Sequence, residues 1–145
     1  MERYIGVKVI AAEPMTLGAY NQFKGWTIPE DEDPNTEGFL VEYADNYISW
    51  SPKPAFEESY KRTDCLTFGL AIEALKKGFR VARQGWNGKG MWLSFVSAEG
   101  YTVGGARSGS HSVLPWIGMK TADDKFVPWL ASQTDVLAED WAVVE

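Results

Sequence analysis

The pattern of apolar and polar positions predicts both strands and helices, in alternating short elements. Alternation of apolar and polar residues predicts strands, and apolar residues three or four positions apart predict helices. The predicted strands are Tyr4–Ala12, Phe39–Tyr43, Tyr47–Trp50, Phe79–Arg83, Met91–Val96, Tyr101–Val103, Val113–Lys120 and Trp141–Val144. The predicted helices are Met15–Phe23, Lys53–Lys61 and Asp64–Lys77, with a further helical turn beginning at Ser132 or Thr134.

The helix over residues 64–77 has the clearest pattern in the chain. Phe68, Ala71, Ile72 and Leu75 form one apolar stripe, and Gly78 suits the left-handed conformation that ends a helix. Such a stripe is typical of a core-facing helix. We therefore predict an α+β fold with one main helix on a mostly antiparallel sheet. A small N-terminal α+β extension over residues 1–62 precedes the main domain, residues 63–145.

The segment Arg83–Trp92 contains the most distinctive residues of the chain. Asn87-Gly88 is typical of a type I′ turn, in which both central residues have φ > 0. It predicts a tight hairpin with an indole, an amide and an ammonium group at its rim. Pro115, in the strand over residues 113–120, predicts an edge or bulged strand.

Two interpretations of this predicted hairpin are open. An indole can stack on a base, an Asn amide can bind a base or ribose edge, and a Lys can neutralise a phosphate. Alternatively, Trp86 and Trp92 fill the core beside an ordinary turn. Composition by itself favours the second interpretation, because such turns are common and ligand pockets are few.

Composition restricts the classes of function. The chain has 145 residues, seven of them tryptophan, and a formal net charge of −6. Residues 1–60 hold four Lys or Arg against eleven Asp or Glu, and the remainder hold ten against nine. An acidic chain does not favour binding to DNA or RNA. Seven tryptophans exceed what a small core needs, so some are expected at an interface or ligand pocket.

Catalytic and metal-binding residues are sparse. With one cysteine, Cys65, and one histidine, His111, neither a disulfide within the chain nor a zinc site is expected. No histidine-activated nucleophile is evident, so we expect no catalytic residue, no metal and no cofactor. No apolar run reaches membrane length and no signal-peptide pattern is present, which predicts a cytoplasmic protein without a membrane partner.

A glycine-rich segment covers residues 104–112. Such loops can hold phosphate through backbone N–H groups, and Arg107 would add a cation. The segment matches neither the P-loop nor the dinucleotide fingerprint, and a plain loop is the simpler interpretation.

Three segments resemble a known family. They are Thr67–Gly78, Val81–Trp92 with its Gln84-Gly85-Trp86-Asn87-Gly88-Lys89 run, and Pro128–Trp141. Together they resemble the second type of Thoeris anti-defence protein, a small phage-encoded family, over about residues 64–145. The resemblance implies a non-catalytic sponge that sequesters a cyclic ADP-ribose isomer, the signal of a bacterial immune system. It also implies a homo-oligomer, a dimer of dimers with pockets at subunit interfaces.

The resemblance also suggests the ligand-binding residues. Matching the family's motifs are Trp86, Asn87, Gly88, Lys89, Trp129, Ser132, Gln133, Asp135 and Asp140. Arg83 and Met91, which flank the turn, and Arg107 of the glycine-rich segment complete the set of candidates. Which of them contact ligand and which brace the pocket is open. The preferred isomer, binding of cyclic oligonucleotide signals and the role of the first 62 residues are open too. The alternative function is a structural or regulatory phage protein that binds a protein partner through exposed tryptophans.

Overall fold

The computed structural model describes residues 1–100 and 113–145, which separate into two units, Met1–Lys61 and Arg62–Glu145. Both units are mixtures of helices and antiparallel strands, so the predicted α+β class is confirmed. The strand predicted over residues 101–103 and the side chains of Arg107 and His111 lie outside the described residues. None of the described helices has the length and hydropathy needed to cross a bilayer.

The first unit is a three-stranded antiparallel meander with two helices. Its strands run in the order β1-β2-β3, and the indole N–H of Trp50 donates to the Met15 carbonyl at 2.8 Å. Phe39 and Phe56 stack with ring centroids 4.0 Å apart, which fixes the second helix against the sheet. The elements are β1 (Ala11–Pro14), α1 (Leu17–Lys24), β2 (Gly38–Glu42), β3 (Ile48–Pro52) and α2 (Lys53–Ser59).

The first predicted strand is wrong over most of its length. The pattern predicts a strand over Tyr4–Ala12, but β1 begins only at Ala11. Ala11 pairs with Glu42, the last residue of β2, so the chain before Ala11 extends past the end of its neighbour. A strand needs a partner for its backbone groups, and a local pattern does not reveal how long that partner is.

The second unit is a five-stranded antiparallel sheet with one principal helix. The strands follow the order β7-β6-β5-β4-β8. Its elements are α3 (Phe68–Lys76), β4 (Arg80–Arg83), β5 (Trp92–Val96), β6 (Trp116–Lys120), β7 (Phe126–Pro128), α4 (Gln133–Leu137) and β8 (Trp141–Val144), with 3₁₀ turns at Asn87–Lys89 and Ala98–Gly100.

Helix α3 supplies one wall of the core. The Thr67 hydroxyl caps its start, accepting from the Leu70 N–H, and Gly78 follows its end with a φ of 92°. The helix buries Ala71, Ala74 and Leu75 against the central strands. The predicted stripe is therefore core, although Phe68 and Ile72 are only partly buried.

The opposite wall of the core comes from the sheet. Val81 of β4, Leu93 of β5 and Trp141 of β8 are completely buried against α3. Trp141 is the largest of these side chains and comes from the last strand, so the core closes only when the end of the chain has returned to β4.

The expectation of an edge strand around Pro115 is also wrong. Strand β6 lies between β5 and β7, and it begins at Trp116, directly after the proline. Pro115 therefore precedes the hydrogen-bonded ladder, where its missing N–H removes no bond of the sheet.

Candidate functional site

The segment between β4 and β5 does not form the predicted two-residue turn. Its backbone bonds run from the Trp86 N–H to the Arg83 carbonyl, and from the Lys89 and Met91 N–H groups to the Trp86 carbonyl, at 2.9 to 3.1 Å. Asn87–Lys89 forms a 3₁₀ turn, and the left-handed residues are Gly85 and Gly90, with φ of 87° and 68°. The glycines on either side adopt the positive φ angles, so Asn87-Gly88 is not required to do so.

This wider loop places Trp86 inside an aromatic cluster. Its ring centroid lies 5.4 Å from that of Trp141 and 6.1 Å from that of Trp129, both in edge-to-face geometry. Trp129 and Trp141 are themselves 5.8 Å apart, and Phe68 of α3 contacts both. We call Phe68, Trp86, Trp129 and Trp141 the aromatic cluster. It unites the predicted turn with the C-terminal segment, which are distant in sequence.

Two members of the aromatic cluster keep a polar group at the surface. Trp86 and Trp129 are partly exposed, and no described residue accepts a hydrogen bond from either indole N–H. Because no buried side-chain donor in the described residues lacks a partner, both N–H groups reach solvent. The Trp141 N–H instead donates to the Asp135 carbonyl at 2.9 Å. The cluster therefore presents two indole N–H groups to solvent.

Arg83 binds two of the other predicted residues. Its Nε and Nη2 donate to the two oxygens of Asp140 at 3.0 and 3.4 Å, and its Nη1 donates to Asp135 at 3.0 Å. The Arg83 side chain is 25% exposed and that of Asp135 only 13%, so solvent screens this contact weakly. The guanidinium is already committed to two carboxylates, and a ligand phosphate would have to displace one of them.

The start of α4 depends on the same carboxylate. Asp135 accepts from the Ser132 N–H at 3.0 Å and from its hydroxyl at 2.7 Å, while the Ser132 hydroxyl accepts from the Asp135 N–H at 3.1 Å. This is a capping box with Asp in place of Glu. Of the two residues predicted to cap this turn, Ser132 does so. Asp135 thus joins the cap of α4 to Arg83 at the end of β4.

The charges in this network stabilise one another. The pKa of Arg83 is raised by hydrogen bonds to Asp140 and then Asp135. Partial burial by itself raises the pKa of Asp135, but hydrogen bonds from Ser132 and Arg83 outweigh burial and hold it below its usual value. Both groups are therefore ionised at neutral pH, as a structural ion pair requires.

The remaining predicted residues differ in their exposure. Asn87, Gly88, Lys89 and Gln133 are exposed, while Met91 is partly buried. Lys89 makes no ion pair with any described residue, so its ammonium is available to an anion. Arg107 lies outside the described residues.

Two contacts beside this site were not predicted from the sequence. Lys120 of β6 donates from its Nζ to the Gly90 carbonyl at 3.0 Å and pairs with Asp124 at 3.3 Å. It therefore ties the loop between β4 and β5 to strand β6. Phe68 was assigned to the helix stripe, and its contact with two tryptophans depends on how α3 meets the sheet. Met119 packs against the core, so the alternation of β6 places its neighbour Lys120 on the opposite face of the sheet. This alternation is the sequence signal that could have indicated a role for Lys120 beside the loop.

The site lacks the features of a hydrolytic centre within the described residues. Asp135 and Asp140 are both engaged by Arg83, and Cys65 is exposed. No group of three or more His, Cys, Asp or Glu in the described parts of the chain could hold a metal ion. What the site does offer is an amide, an ammonium and two indole N–H groups around a rigid aromatic base.

Comparison with known proteins assigns the sequence of the second unit to a family. The family model of the Thoeris anti-defense 2-like domain matches residues 66–144, more than half of the chain and nearly all of the second unit. The chain belongs to the Thoeris anti-defense 2-like family. The family predicted from the turn and C-terminal segments is therefore confirmed, and with it a phage anti-defence role at the level of the family.

A curated relative supports the same assignment. Thoeris anti-defense 2 of Bacillus phage SP01 is 45% identical over 84 residues, which are 54% of this chain and 94% of the relative. That relative is too short to hold counterparts of both units. The first unit, which lies outside the match to the family model, is thus an addition to the Thoeris anti-defense 2-like domain.

Proposed function

We propose that the protein is a non-catalytic sponge that binds a cyclic ADP-ribose isomer and thereby withholds the signal from the Thoeris effector. The observation that carries the proposal is that the family's turn and C-terminal segments meet at one aromatic cluster. Asn87 and Lys89 lie beside that cluster with free polar groups.

The chemistry of such a ligand suits these groups. A cyclic ADP-ribose isomer has a purine, two riboses and two phosphates. Asn87 and the indole N–H groups of Trp86 and Trp129 can bind base, ribose or phosphate oxygens, and Lys89 can neutralise a phosphate. The area of Trp86 open to ligand stacking is limited, because its side chain is only partly exposed. We therefore assign the indoles a hydrogen-bonding and wall-forming role.

The twelve predicted residues then divide into two groups. We propose that Arg83, Ser132, Asp135 and Asp140 brace the site, because their polar groups are bound to one another. Asn87, Lys89 and Gln133 are the proposed ligand contacts, since their side chains are exposed beside the cluster. Gly88 and Met91 shape the loop. A braced site loses little conformational entropy on binding, which favours affinity in a protein that acts by stoichiometric capture.

We further propose that the protein acts in the cytoplasm of the infected cell as a homo-oligomer, a dimer of dimers. The support is the family assignment and the partial exposure of Trp86 and Trp129 on a single chain, which a second copy could cover.

The decisive experiment separates capture from catalysis. The purified protein is incubated with cyclic ADP-ribose isomers at a stoichiometric ratio, and the free ligand is measured by chromatography before and after heat denaturation. Loss of ligand on mixing with intact recovery on denaturation supports a sponge. Recovery of an altered ligand would indicate an enzyme, and no loss of any isomer would refute ligand binding.

The alternative function, a structural or regulatory phage protein that binds a protein partner, requires exposed tryptophans. All seven tryptophans lie in the described residues, and only Trp26 of the first unit is classed as exposed, at 57%. Trp141 is buried in the core of the second unit, and Trp86 and Trp129 pack against that core while remaining partly exposed. The structure thus removes most of the support for a protein-binding surface made of indoles.

A further inference from the structure

Residues 4–10 lead directly into β1, the edge strand of the first sheet, and belong to no helix or strand. We call them the overhanging segment. Tyr4 is 85% exposed and Ile5 99%, and Val7 and Val9 are classed as exposed too. Backbone hydrogen bonds to this segment are absent within the described residues before Ile10. Four large apolar side chains with free backbone groups on both sides are unusual for a folded surface.

The side chains of the overhanging segment alternate in the manner of a half-buried strand. In a strand, Ile5, Val7 and Val9 would lie on one face, and Tyr4, Gly6, Lys8 and Ile10 on the other. The Lys8 ammonium lies 5.2 Å from the ring centroid of Tyr43 in the same unit, which anchors the second face. The face with the three β-branched residues is left exposed, although these residues are strong strand formers.

We propose that the overhanging segment pairs antiparallel with the same segment of a second copy of this chain, with Val7 on the two-fold axis. Each segment supplies the partner strand that the other lacks. Pairing along the overhanging segment, which leads directly into β1, would join the two three-stranded sheets into one sheet of six strands. This contact lies outside the Thoeris anti-defense 2-like domain and is independent of the proposed ligand site.

The register follows from the side chains. With Val7 opposite Val7, Ile5 lies opposite Val9 on both sides of the axis, and all three apolar pairs share one face. A shift that centred the pair on Lys8 would set two ammonium groups directly opposite each other, which is unfavourable. A one-residue slip would place the β-branched residues of one copy beside Gly6 and Lys8 of the other.

Self-pairing also explains why a second copy suits this edge better than an unrelated strand. A two-fold contact requires that one segment be complementary to itself. The order Ile5-x-Val7-x-Val9 meets that requirement, because it is apolar and β-branched when read in either direction. An edge that accepted any extended peptide would not need this symmetry.

Disulfide trapping in the full chain tests the proposal. Cys65 is exposed and is first replaced by serine, so that each variant carries a single thiol. Val7→Cys then places two thiols across the axis, within the 7 Å Cα separation that a disulfide tolerates. Ile5→Cys places them four residues apart along the strand, about 13 Å. Mixing Ile5→Cys with Val9→Cys brings the thiols opposite each other again.

The expected result is disulfide formation about tenfold faster for Val7→Cys, and for the Ile5→Cys and Val9→Cys mixture, than for Ile5→Cys alone. Equal rates for all samples would mean random encounter and would overturn the proposal, as would the absence of any linked dimer. Ligand capture is measured on the same variants. Ligand capture without linked dimers would support the proposed function and overturn only the pairing. Linked dimers without ligand capture would support the pairing and overturn the proposed function.

Discussion

Arg83 is the residue through which the second unit holds its C-terminal segment. Its guanidinium binds Asp140 just before β8 and Asp135 within α4, and the backbone N–H of Gln84 donates to the Asp140 carbonyl at 3.2 Å. Two carboxylates against one cation leave this network with a formal charge of −1. A ligand phosphate is therefore better served by Lys89 than by Arg83, although the sequence placed both among the binding residues.

The charge of Asp135 gives a pH-dependent stability. Its folded-state pKa is lowered, so the unfolded chain binds the proton more tightly and stability falls as the pH drops below the unfolded pKa of about 3.9. Asp135→Asn keeps an oxygen for the cap but removes the charge, and should cost about 1–3 kcal/mol at neutral pH. In urea unfolding, the difference between wild type and variant should shrink from pH 6 to pH 3. A difference that stays constant over this range would contradict the ion-pair role.

Lys89 gives the cleaner test of ligand contact. Truncating Trp86 would disturb the aromatic cluster and the fold together, whereas Lys89 is exposed and makes no ion pair with a described residue. Lys89→Ala should weaken binding of cyclic ADP-ribose isomers about tenfold, the usual scale for one charge-assisted contact. Titration calorimetry measures it. Lys77→Ala, an exposed lysine after α3, is the matched control and should bind as wild type does.

Among the elements, α4 is the one whose existence depends most on its first residue. It has five residues, too few to be stable by helix propensity, and no residue within it is buried. The capping box and the ion pair of Asp135 therefore supply most of its stabilisation.

Removal of the cap tests this dependence. Ser132→Ala should lower the free energy of unfolding by about 1 kcal/mol, because the Asp135 N–H loses its acceptor. Thermal unfolding provides the measurement. Gln133→Ala, next to it in an exposed position, should change stability by only a few tenths of a kcal/mol. Equal losses in both variants would show that the cap does not hold α4.

The loop between β4 and β5 shows why a strong local signal can mislead. Asn87-Gly88 favours a tight turn, but the packing of Trp86 in the aromatic cluster stabilises the wider loop by more than this local preference. Gly85 and Gly90 permit that wider path, and Lys120 fixes its far end. The competition is between the local preference of Asn-Gly for a tight turn and the partial burial of an indole in the aromatic cluster.

At the scale of the whole molecule, the second unit contains the complete family domain. It has its own core, and the phage relative consists almost entirely of the matching 84 residues. A fragment spanning residues 62–145 should therefore unfold cooperatively and capture the same ligand as the full chain. Circular dichroism and the capture experiment check both properties. A fragment that is unfolded would show that the first unit is needed for the fold.

The fold class, the main helix, the hairpin of the first unit and the final strand could be predicted from local patterns. Phe68 to Leu75 carries a helical stripe and Trp141–Val144 a strand pattern. The helix forms its own backbone bonds, whereas β8 also needs β4 as its partner. The residues of the overhanging segment favour a strand, but the length of β2 leaves the segment without a partner strand in the part of the chain that the structure describes.

The candidate site was predicted only as a set of residues. The residue types and the family resemblance indicated Trp86, Asn87, Lys89 and the C-terminal segment. Their roles depend on contacts between residues more than fifty positions apart in the sequence, such as those of Arg83 with Asp135 and Asp140.

The sequence by itself therefore determined most of the elements and the family of the second unit, because propensity, periodicity and motif are properties of neighbouring residues. Only the tertiary structure decided which polar groups are free for a ligand and which are bound to one another. That distinction depends on packing: burial makes the aromatic cluster and the Arg83 ion pairs worth more than the local turn, and leaves Asn87 and Lys89 at the surface.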